Sequence, residues 1–159
     1  MIAQMLRQSL ATQPYALATI TSGSMRPLFD IGDQIGLTAV SLMELKQGDI
    51  ITLETPTHLL THRLYALTPT HVITRGDRVS TFDPPTRHEQ LIGRVVIRRR
   101  QDEILDLEQG RGRALHGALC QLALHEAQHF SRPYWTWRPV RRIIHMSYTL
   151  YAKWLVRRL

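Results

Sequence analysis

Apolar and polar positions follow different patterns in successive parts of this chain. From residue 2 to residue 11 the apolar side chains recur at helical spacing, which predicts a short amphipathic helix that Pro14 ends. The predicted apolar stripe consists of Ile2, Met5, Leu6 and Leu10. Short runs rich in Ile, Val, Leu and Thr then alternate with Gly-Asp and Pro turns, a pattern typical of β-strands. The predicted strands cover residues 34–40, 49–54, 59–67, 71–75, 91–99 and 103–107.

The C-terminal part of the chain changes pattern again and predicts two helices. Ala and Leu recur at three- and four-residue spacing from residue 114, as in an amphipathic helix that ends near Phe130. A second helix is expected after Pro139, with most of its apolar residues on one face. That predicted face consists of Val140, Ile143, Ile144, Tyr148, Tyr151, Trp154 and Leu155. The chain is therefore expected to comprise an N-terminal helix (1–14), a β domain (15–108) and a helical appendage (109–159).

Composition and charge narrow the possible classes of protein. With 159 residues, 43% of them hydrophobic, the chain is long and apolar enough to build one core. The single cysteine, Cys120, excludes an internal disulfide and any metal site made of several cysteines. Residues 1–97 contain eight basic and eight acidic residues, whereas residues 98–159 contain twelve basic and five acidic residues. The positive excess predicts attraction of the C-terminal part to phosphate groups on a membrane or a nucleic acid.

The predicted last helix is basic, aromatic and free of acidic residues. Its aromatic residues, and those just before it, alternate with Arg and Lys; they are Trp135, Trp137, Tyr148, Tyr151 and Trp154. This combination suits the headgroup level of an anionic membrane, and a helix that packs on the β domain is the alternative. No motif for binding nucleic acid accompanies it, so nucleic acid is disfavoured as a partner. Without a spanning segment or a signal peptide, a cytoplasmic or peripheral membrane location is expected.

The segment with the clearest chemical character is Thr-Ser-Gly-Ser-Met-Arg-Pro-Leu at residues 21–28. A serine between Gly and Met, at the end of a strand, can present its hydroxyl and the neighbouring backbone N–H groups to a carbonyl group. Ser24 is thus a candidate nucleophile. Taken alone, the segment also fits a serine-rich turn that caps a strand.

Further blocks make this candidate more specific. Together with the Gly-Asp pair at 32–33, the segment resembles the nucleophile box of type I signal peptidases and self-cleaving repressors. Other blocks follow in that family's order: Gly-Asp-Ile-Ile at 48–51, Thr-His-Arg-Leu at 61–64, Thr-Arg-Gly-Asp at 74–77 and Ile-Gly-Arg-Val at 92–95. The resemblance covers roughly residues 17–98. It implies a mainly β, signal-peptidase-like barrel fold and a serine endopeptidase without a cofactor, which cleaves a leader or signal segment of a precursor peptide or protein through an acyl-enzyme.

The resemblance also assigns roles to individual residues. His62 stands where most bacterial relatives have Lys, which is similar to the Ser-His-Asp branch of the family. A neutral imidazole can take the serine proton and return it to the leaving amine, and a carboxylate then stabilises the imidazolium. By position Asp83 resembles that carboxylate, with Asp77 as the alternative third member. Ser22 resembles an oxyanion donor, and a serine that caps its own turn is an equal interpretation.

Other candidates and other functions remain to be weighed. His58, His62 and His71 lack further ligands at conventional spacing, so no metal site is expected. Ordinary packing accounts best for His116, Cys120 and His125, and the Arg run at 98–100 reads as a solvated strand end or a phosphate contact. The alternative functions are an inactive peptide-binding module of the same fold and a nucleic-acid-associated regulator. For the enzyme, we expect either that the basic last helix replaces the membrane anchor of most signal peptidases, or that the substrate is a soluble precursor such as the leader of a modified peptide.

Overall fold

A computed structural model describes residues 1–130 and 138–158, with side chains described for residues 1–128, 143 and 145–158. The fold is mainly β, with a short N-terminal helix and C-terminal helices, which confirms the predicted fold class. The helices are α1 (Ile2–Thr12), α2 (Gly110–Phe130) and α3 (Arg138–Arg158). The strands are β1 (Ala16–Thr19), β2 (Gln34–Thr38), β3 (Ile50–Glu54), β4 (Leu59–Leu67), β5 (His71–Arg75), β6 (Thr86–Arg87), β7 (Leu91–Arg100) and β8 (Glu103–Asp106).

The eight strands form one curled, antiparallel sheet in the order β1-β2-β7-β3-β4-β5-β6, with β8 beside β7. The long strand β7 organises this sheet. One of its edges pairs with β2, while its other edge pairs with β3 over its first half and with β8 over its second half. Strand β1 pairs only with β2 among the described strands, so its other edge is open.

All six predicted strands are present in the predicted order, with ends that differ by up to two residues. Two short strands were not predicted. β1 has the sequence Ala-Leu-Ala-Thr, which lacks a run of β-branched residues, and β6 has only two residues. Both depend on pairing with a neighbouring strand, which periodicity along the sequence does not report.

The apolar stripe of α1 differs from the prediction. Ala3 and Leu6 are buried and Leu10 packs against the core, whereas Ile2 and Met5 are exposed. The side of α1 that faces the sheet is therefore offset from the predicted stripe. The buried Ala3 is small, so a search for large apolar residues gives no signal at this position.

The main core lies between the sheet and the three helices. Leu115 and Leu119 of α2 and Ala152 of α3 belong to the same buried cluster as residues of β1, β2, β3 and β7. The predicted single apolar face of α3 is wrong in part, because Leu155 packs against this core while Trp154 is exposed. The side chains of Val140 and Ile144, and residues Trp135 and Trp137, lie outside the described part of the chain. Across the ranges that are described, none of the helices combines the length and the apolar character that crossing a bilayer requires.

Two glycines of α2 provide a matched test of how this helix packs. A Cβ on Gly112 would lie 1.8 Å from the backbone oxygen of Asp106, whereas a Cβ on Gly117 would meet no atom within 4 Å. We expect Gly112→Ala to lower the free energy of unfolding by about 1–3 kcal/mol, because α2 must move away from β8. Gly117→Ala should raise it by about 0.5–1 kcal/mol through helix propensity. Urea unfolding measures both, and equal effects of the two substitutions would contradict the packing described.

Candidate active site

Ser24 lies on the turn between β1 and β2, and this turn is anchored in the core. The side chains that follow it, Met25, Leu28 and Phe29, are at most 1% exposed. The turn is therefore held by apolar packing on its C-terminal side, and the Ser24 hydroxyl keeps a fixed position relative to the sheet.

Charged groups brace the far end of this turn. The guanidinium of Arg100 donates two hydrogen bonds, of 2.8 and 2.7 Å, to the carboxylate of the buried Asp33. Burial alone would raise the pKa of Asp33, but the hydrogen bonds from Arg100 and from the Asp30 N–H bring it below its usual value. Arg98 is also buried and donates to the Leu28 carbonyl and to Glu103. The interpretation of residues 98–100 as a solvated or phosphate-binding run is therefore wrong for Arg98 and Arg100.

His62 of β4 contacts both of its predicted partners. Its Nε2 lies 2.9 Å from the Ser24 Oγ, and its Nδ1 lies 2.6 Å from the Oδ2 of Asp83. A carboxylate only accepts hydrogen bonds, so Nδ1 carries the proton and Nε2 is the acceptor for the Ser24 hydroxyl. The ring is 5% exposed, so water competes little for either contact. This arrangement can withdraw a proton from Ser24.

Asp83 is held by Thr74, the first residue of the Thr-Arg-Gly-Asp block, to which the sequence assigned no role of its own. The hydroxyl of Thr74, on β5, donates a 2.7 Å hydrogen bond to the same Oδ2 that faces His62. The backbone N–H of Asp83 donates to the Thr74 carbonyl at 2.9 Å. The carboxylate is thereby fixed by one residue of the neighbouring strand. The nearness of Thr74 in sequence to the Gly-Asp pair at 76–77 was the signal that could have identified it.

The alternative carboxylate, Asp77, serves a different partner. It accepts hydrogen bonds of 2.8 and 2.6 Å from the guanidinium of Arg63, which is fully buried and also donates to the Gly48 carbonyl at 2.9 Å. The structure thus places Asp83 against His62 and Asp77 against the next residue of the same strand. Two-point binding of this kind fixes the loop as well as the charge.

Gly76 allows the loop after β5 to reach the Ser24–His62 pair. A Cβ at this position would lie 2.8 Å from the Ser24 carbonyl oxygen and 2.9 Å from the His62 Nε2. Two residues later, the backbone N–H of Arg78 donates a 2.8 Å hydrogen bond to the same carbonyl oxygen of Ser24. The glycine of the 74–77 block is therefore required by close approach, which the sequence analysis did not identify.

Ser22 lies beside the candidate nucleophile. Its Oγ is 3.1 Å from the Ser24 Oγ, and the side chain is exposed toward the open side of the turn. A hydroxyl at this position can turn toward an oxygen atom that forms next to Ser24. The geometry fits the oxyanion role that the resemblance implies as well as it fits a local serine contact.

An open cleft of about 570 Å³ leads to Ser24. One wall is formed by β1 and the residues that follow it, and the opposite wall by residues 57–61 at the start of β4. Ile20 exchanges backbone hydrogen bonds with residues of the β1–β2 turn, so its backbone groups point to the β2 side. Backbone groups alternate in direction along a strand, so those of Leu17 and Thr19 point to the opposite side, toward the cleft. On the other wall, the pairing of β4 with β5 begins only at Arg63. Residues 59–62 of β4 therefore have no neighbouring strand on that side. The cleft is a slot between this edge of β4 and the open edge of β1.

Apart from His58, which lines the cleft, the other residues considered from the sequence do not join this site. Within the described part of the chain, no three His, Cys, Asp or Glu side chains are placed to share a metal ion, and His58 and His71 hydrogen-bond the adjacent Thr57 and Thr70. His116 and Cys120 pack behind β4; burial lowers the pKa of the His116 imidazole and raises the pKa of the Cys120 thiol.

A second buried network connects α2 and α3 to the loop after β5. Glu126 of α2 is 2% exposed, and its carboxylate accepts from Arg75 of β5 at 3.1 Å and from the His145 Nδ1 at 2.6 Å. The His145 Nε2 lies 2.9 Å from the carbonyl oxygen of Arg78. Because both acceptors lack a proton, the imidazolium is the form that satisfies both contacts. The hydrogen bond to Glu126 accordingly raises the pKa of His145 above its ordinary value.

Comparisons with known proteins leave the family of this chain open. No protein-family model matches it, and no curated protein matches its sequence.

Substitution of the two aspartates should separate their roles. Asp77→Asn is expected to lower the free energy of unfolding by about 3–5 kcal/mol, because it leaves the charge of Arg63 buried without a counterion. Asp83→Asn, at a carboxylate whose side chain is 17% exposed, should cost far less stability. Urea unfolding at neutral pH measures the difference. A larger stability loss for Asp83→Asn would show that the loop is held in another way.

The contact between His145 and Glu126 should make stability depend on pH. Because folding raises the pKa of His145, the contact stabilises fully below the unfolded value of about 6.5 and is lost as the pH rises through the folded value. His145→Gln should therefore lower the free energy of unfolding at pH 6 and have a progressively smaller effect at higher pH. Urea unfolding over a pH series measures this, with the exposed His58→Gln as the control. An effect that grows with pH would exclude the charged contact.

Proposed function

We propose that this protein is a serine endopeptidase that resembles type I signal peptidase and cleaves a leader or signal segment of a precursor. The observation that carries the proposal is the hydrogen-bonded series from Ser24 through His62 to Asp83, with contacts of 2.9 and 2.6 Å. Three residues from two loops and a strand meet in the order that nucleophilic catalysis by serine requires. This series also lies at the end of an open cleft.

The proposed reaction begins with attack of the Ser24 Oγ on the carbonyl carbon of the scissile peptide bond. The hydroxyl proton moves to the His62 Nε2, and Asp83 stabilises the imidazolium through its contact with Nδ1. His62 then gives this proton to the leaving amine, which departs as the C–N bond breaks and leaves an acyl-enzyme on Ser24. A water molecule, deprotonated by His62, then attacks the ester carbon. As the C–O bond to Ser24 breaks, His62 returns this proton to the Ser24 Oγ, and the new carboxyl group of the product is released.

Stabilisation of the tetrahedral oxyanion is assigned to Ser22 and to the backbone N–H of Ser24. Support for Ser22 comes from the 3.1 Å separation of its Oγ from the Ser24 Oγ, which places a rotatable donor next to the reacting atom. One such donor contributes about 3 kcal/mol to the stabilisation of the transition state.

The shape of the cleft supports an extended peptide as the substrate. Two strand edges face each other across it, so a peptide in β conformation can pair its backbone with the outer edge of β1. Apolar side chains line its floor, among them Leu17, Ile20 and Leu59. An extended, weakly polar segment such as a leader satisfies both features.

The test of this proposal is labelling of the protein by a fluorophosphonate, which reacts with activated serine hydroxyls. We expect mass analysis to locate the label on Ser24, and Ser24→Ala to abolish labelling. His62→Ala should slow labelling at least about a thousandfold, since the hydroxyl then lacks its base. Ser41→Ala is the matched control, because Ser41 is an exposed serine whose hydroxyl donates to Glu44, and it should label as the unaltered protein does.

The pH dependence of labelling provides a second readout. Protonation of the imidazole removes the acceptor for the serine proton, so the labelling rate should fall as the buffer is made acidic. Labelling elsewhere than Ser24, or a folded protein that is not labelled at any pH, would contradict the peptidase proposal. The second of these results would favour a peptide-binding module that uses the same cleft without chemistry.

A further inference from the structure

Helix α3 turns opposite faces toward the protein and toward solvent. On the inner face Ala152 is 7% exposed, and Leu155 and Val156 pack against the main core. His145 and Tyr148, on the same side, hydrogen-bond Glu126 and His125 of α2. The inner face alone therefore accounts for the docking of α3 on the rest of the molecule.

The outer face of α3 carries large apolar side chains where a surface helix usually carries polar ones. Five of them are 45–64% exposed: Ile143, Met146, Leu150, Tyr151 and Trp154. At 100° per residue, Ile143, Leu150 and Trp154 follow one line along the helix, about 16 Å long. A contiguous exposed stripe of this kind indicates an interaction surface rather than scattered surface residues.

Basic residues border this stripe on both sides. Lys153 and Arg157 lie along one side of the line and Arg158 along the other, and all three are exposed. The Arg158 guanidinium lies 4.7 Å from the centre of the Trp154 ring, and that ring stacks on Tyr151 with a centroid separation of 5.5 Å. The sequence contains no Asp or Glu from residue 139 to residue 159. The face is thus apolar at its centre, aromatic along one margin and positive at its edges.

We propose that the outer face of α3 binds the surface of an anionic lipid bilayer, with the helix axis parallel to the membrane. Ile, Leu and Met side chains can enter the boundary of the acyl chains, Trp and Tyr suit the headgroup level, and the flanking cations attract anionic headgroups. A second copy fits less well, because two faces of equal positive charge would repel each other. A nucleic acid fits less well too, because aliphatic side chains occupy the centre of the stripe.

The experiment is co-sedimentation of the full chain with two kinds of vesicle. One contains phosphatidylcholine alone, and the other contains phosphatidylcholine mixed with phosphatidylglycerol. We expect at least tenfold tighter binding to the anionic vesicles, and a loss of that preference at high salt, because salt screens the attraction between the basic residues and the headgroups.

Matched variants test whether the face itself is responsible. Leu150→Ser combined with Trp154→Ser should weaken binding to anionic vesicles at least tenfold. The control replaces two apolar residues that are exposed elsewhere, Met43 and Ile104, with serine, and should bind as the unaltered protein does. Circular dichroism establishes that both double variants remain folded.

Charge variants make the corresponding electrostatic comparison. Lys153→Gln combined with Arg157→Gln should lower the affinity for anionic vesicles severalfold, whereas Arg99→Gln, at an exposed basic residue of β7, should leave it unchanged.

Several results would overturn the proposal. Equal binding to the two kinds of vesicle, or binding to neither, removes the anionic surface as the partner. Self-association or duplex DNA binding that depends on Leu150 and Trp154, without vesicle binding, assigns the face to another occupant. Ser24→Ala should bind vesicles as tightly as the unaltered protein does, so this experiment and the labelling of Ser24 succeed or fail independently.

Discussion

A salt bridge closed to water holds the candidate site together. Arg63 is fully buried in β4, and its guanidinium binds both oxygens of Asp77 and the Gly48 carbonyl. Adjacent residues of a strand project to opposite faces, so His62 faces the cleft while Arg63 faces α2. By fixing Asp77 behind the sheet, Arg63 also fixes Gly76, which approaches Ser24 and His62 in front of it. The distance between Ser24 and His62 therefore depends on an ion pair that contacts neither of them.

The helices behind the sheet extend this support. Glu126 of α2 receives Arg75 from β5 and His145 from α3, and His145 also binds the carbonyl of Arg78 in the loop after Gly76. The backbone N–H of Arg78 in turn binds the carbonyl of Ser24. Packing of α3 and the position of Ser24 are consequently linked through the backbone of one residue, Arg78. In the proposed mechanism, this arrangement keeps the Ser24 turn in place while a substrate binds in the cleft.

Two surfaces serve the two proposed functions: the cleft beside Ser24 for substrate binding, and the outer face of α3 for membrane binding. The cleft between β1 and β4 is open and largely apolar, and it presents unpaired strand edges. The outer face of α3 is apolar and bordered by cations. An enzyme that acts on leader segments would benefit from both, since such segments are apolar and are found close to membranes. The two proposals rest on separate residues and do not require each other.

Much of the fold could be predicted because its signals are local. The alternation of apolar residues with Gly-Asp and Pro turns indicated six of the eight strands, and helical spacing indicated all three helices. Ser24, His62 and the two aspartates were also identified as candidates, because their order along the chain resembles that of a known family. The strands that were missed, β1 and β6, are short edge strands whose stability comes from their neighbours.

The sequence by itself determined the three helices and six of the strands, since hydrophobic period and turn residues act over a few positions. Only the tertiary structure decided which carboxylate contacts His62, because Asp77 and Asp83 lie in the same loop. The buried guanidinium of Arg63 binds Asp77, and Asp83 contacts His62. The tertiary structure also decided that Arg98 and Arg100 brace the Ser24 turn, and that Leu155 of α3 packs against the core while Trp154 is exposed. A helix that carries apolar side chains on two opposite sides has no defined inner face until it packs. The partners of buried charges are likewise set by groups distant in sequence.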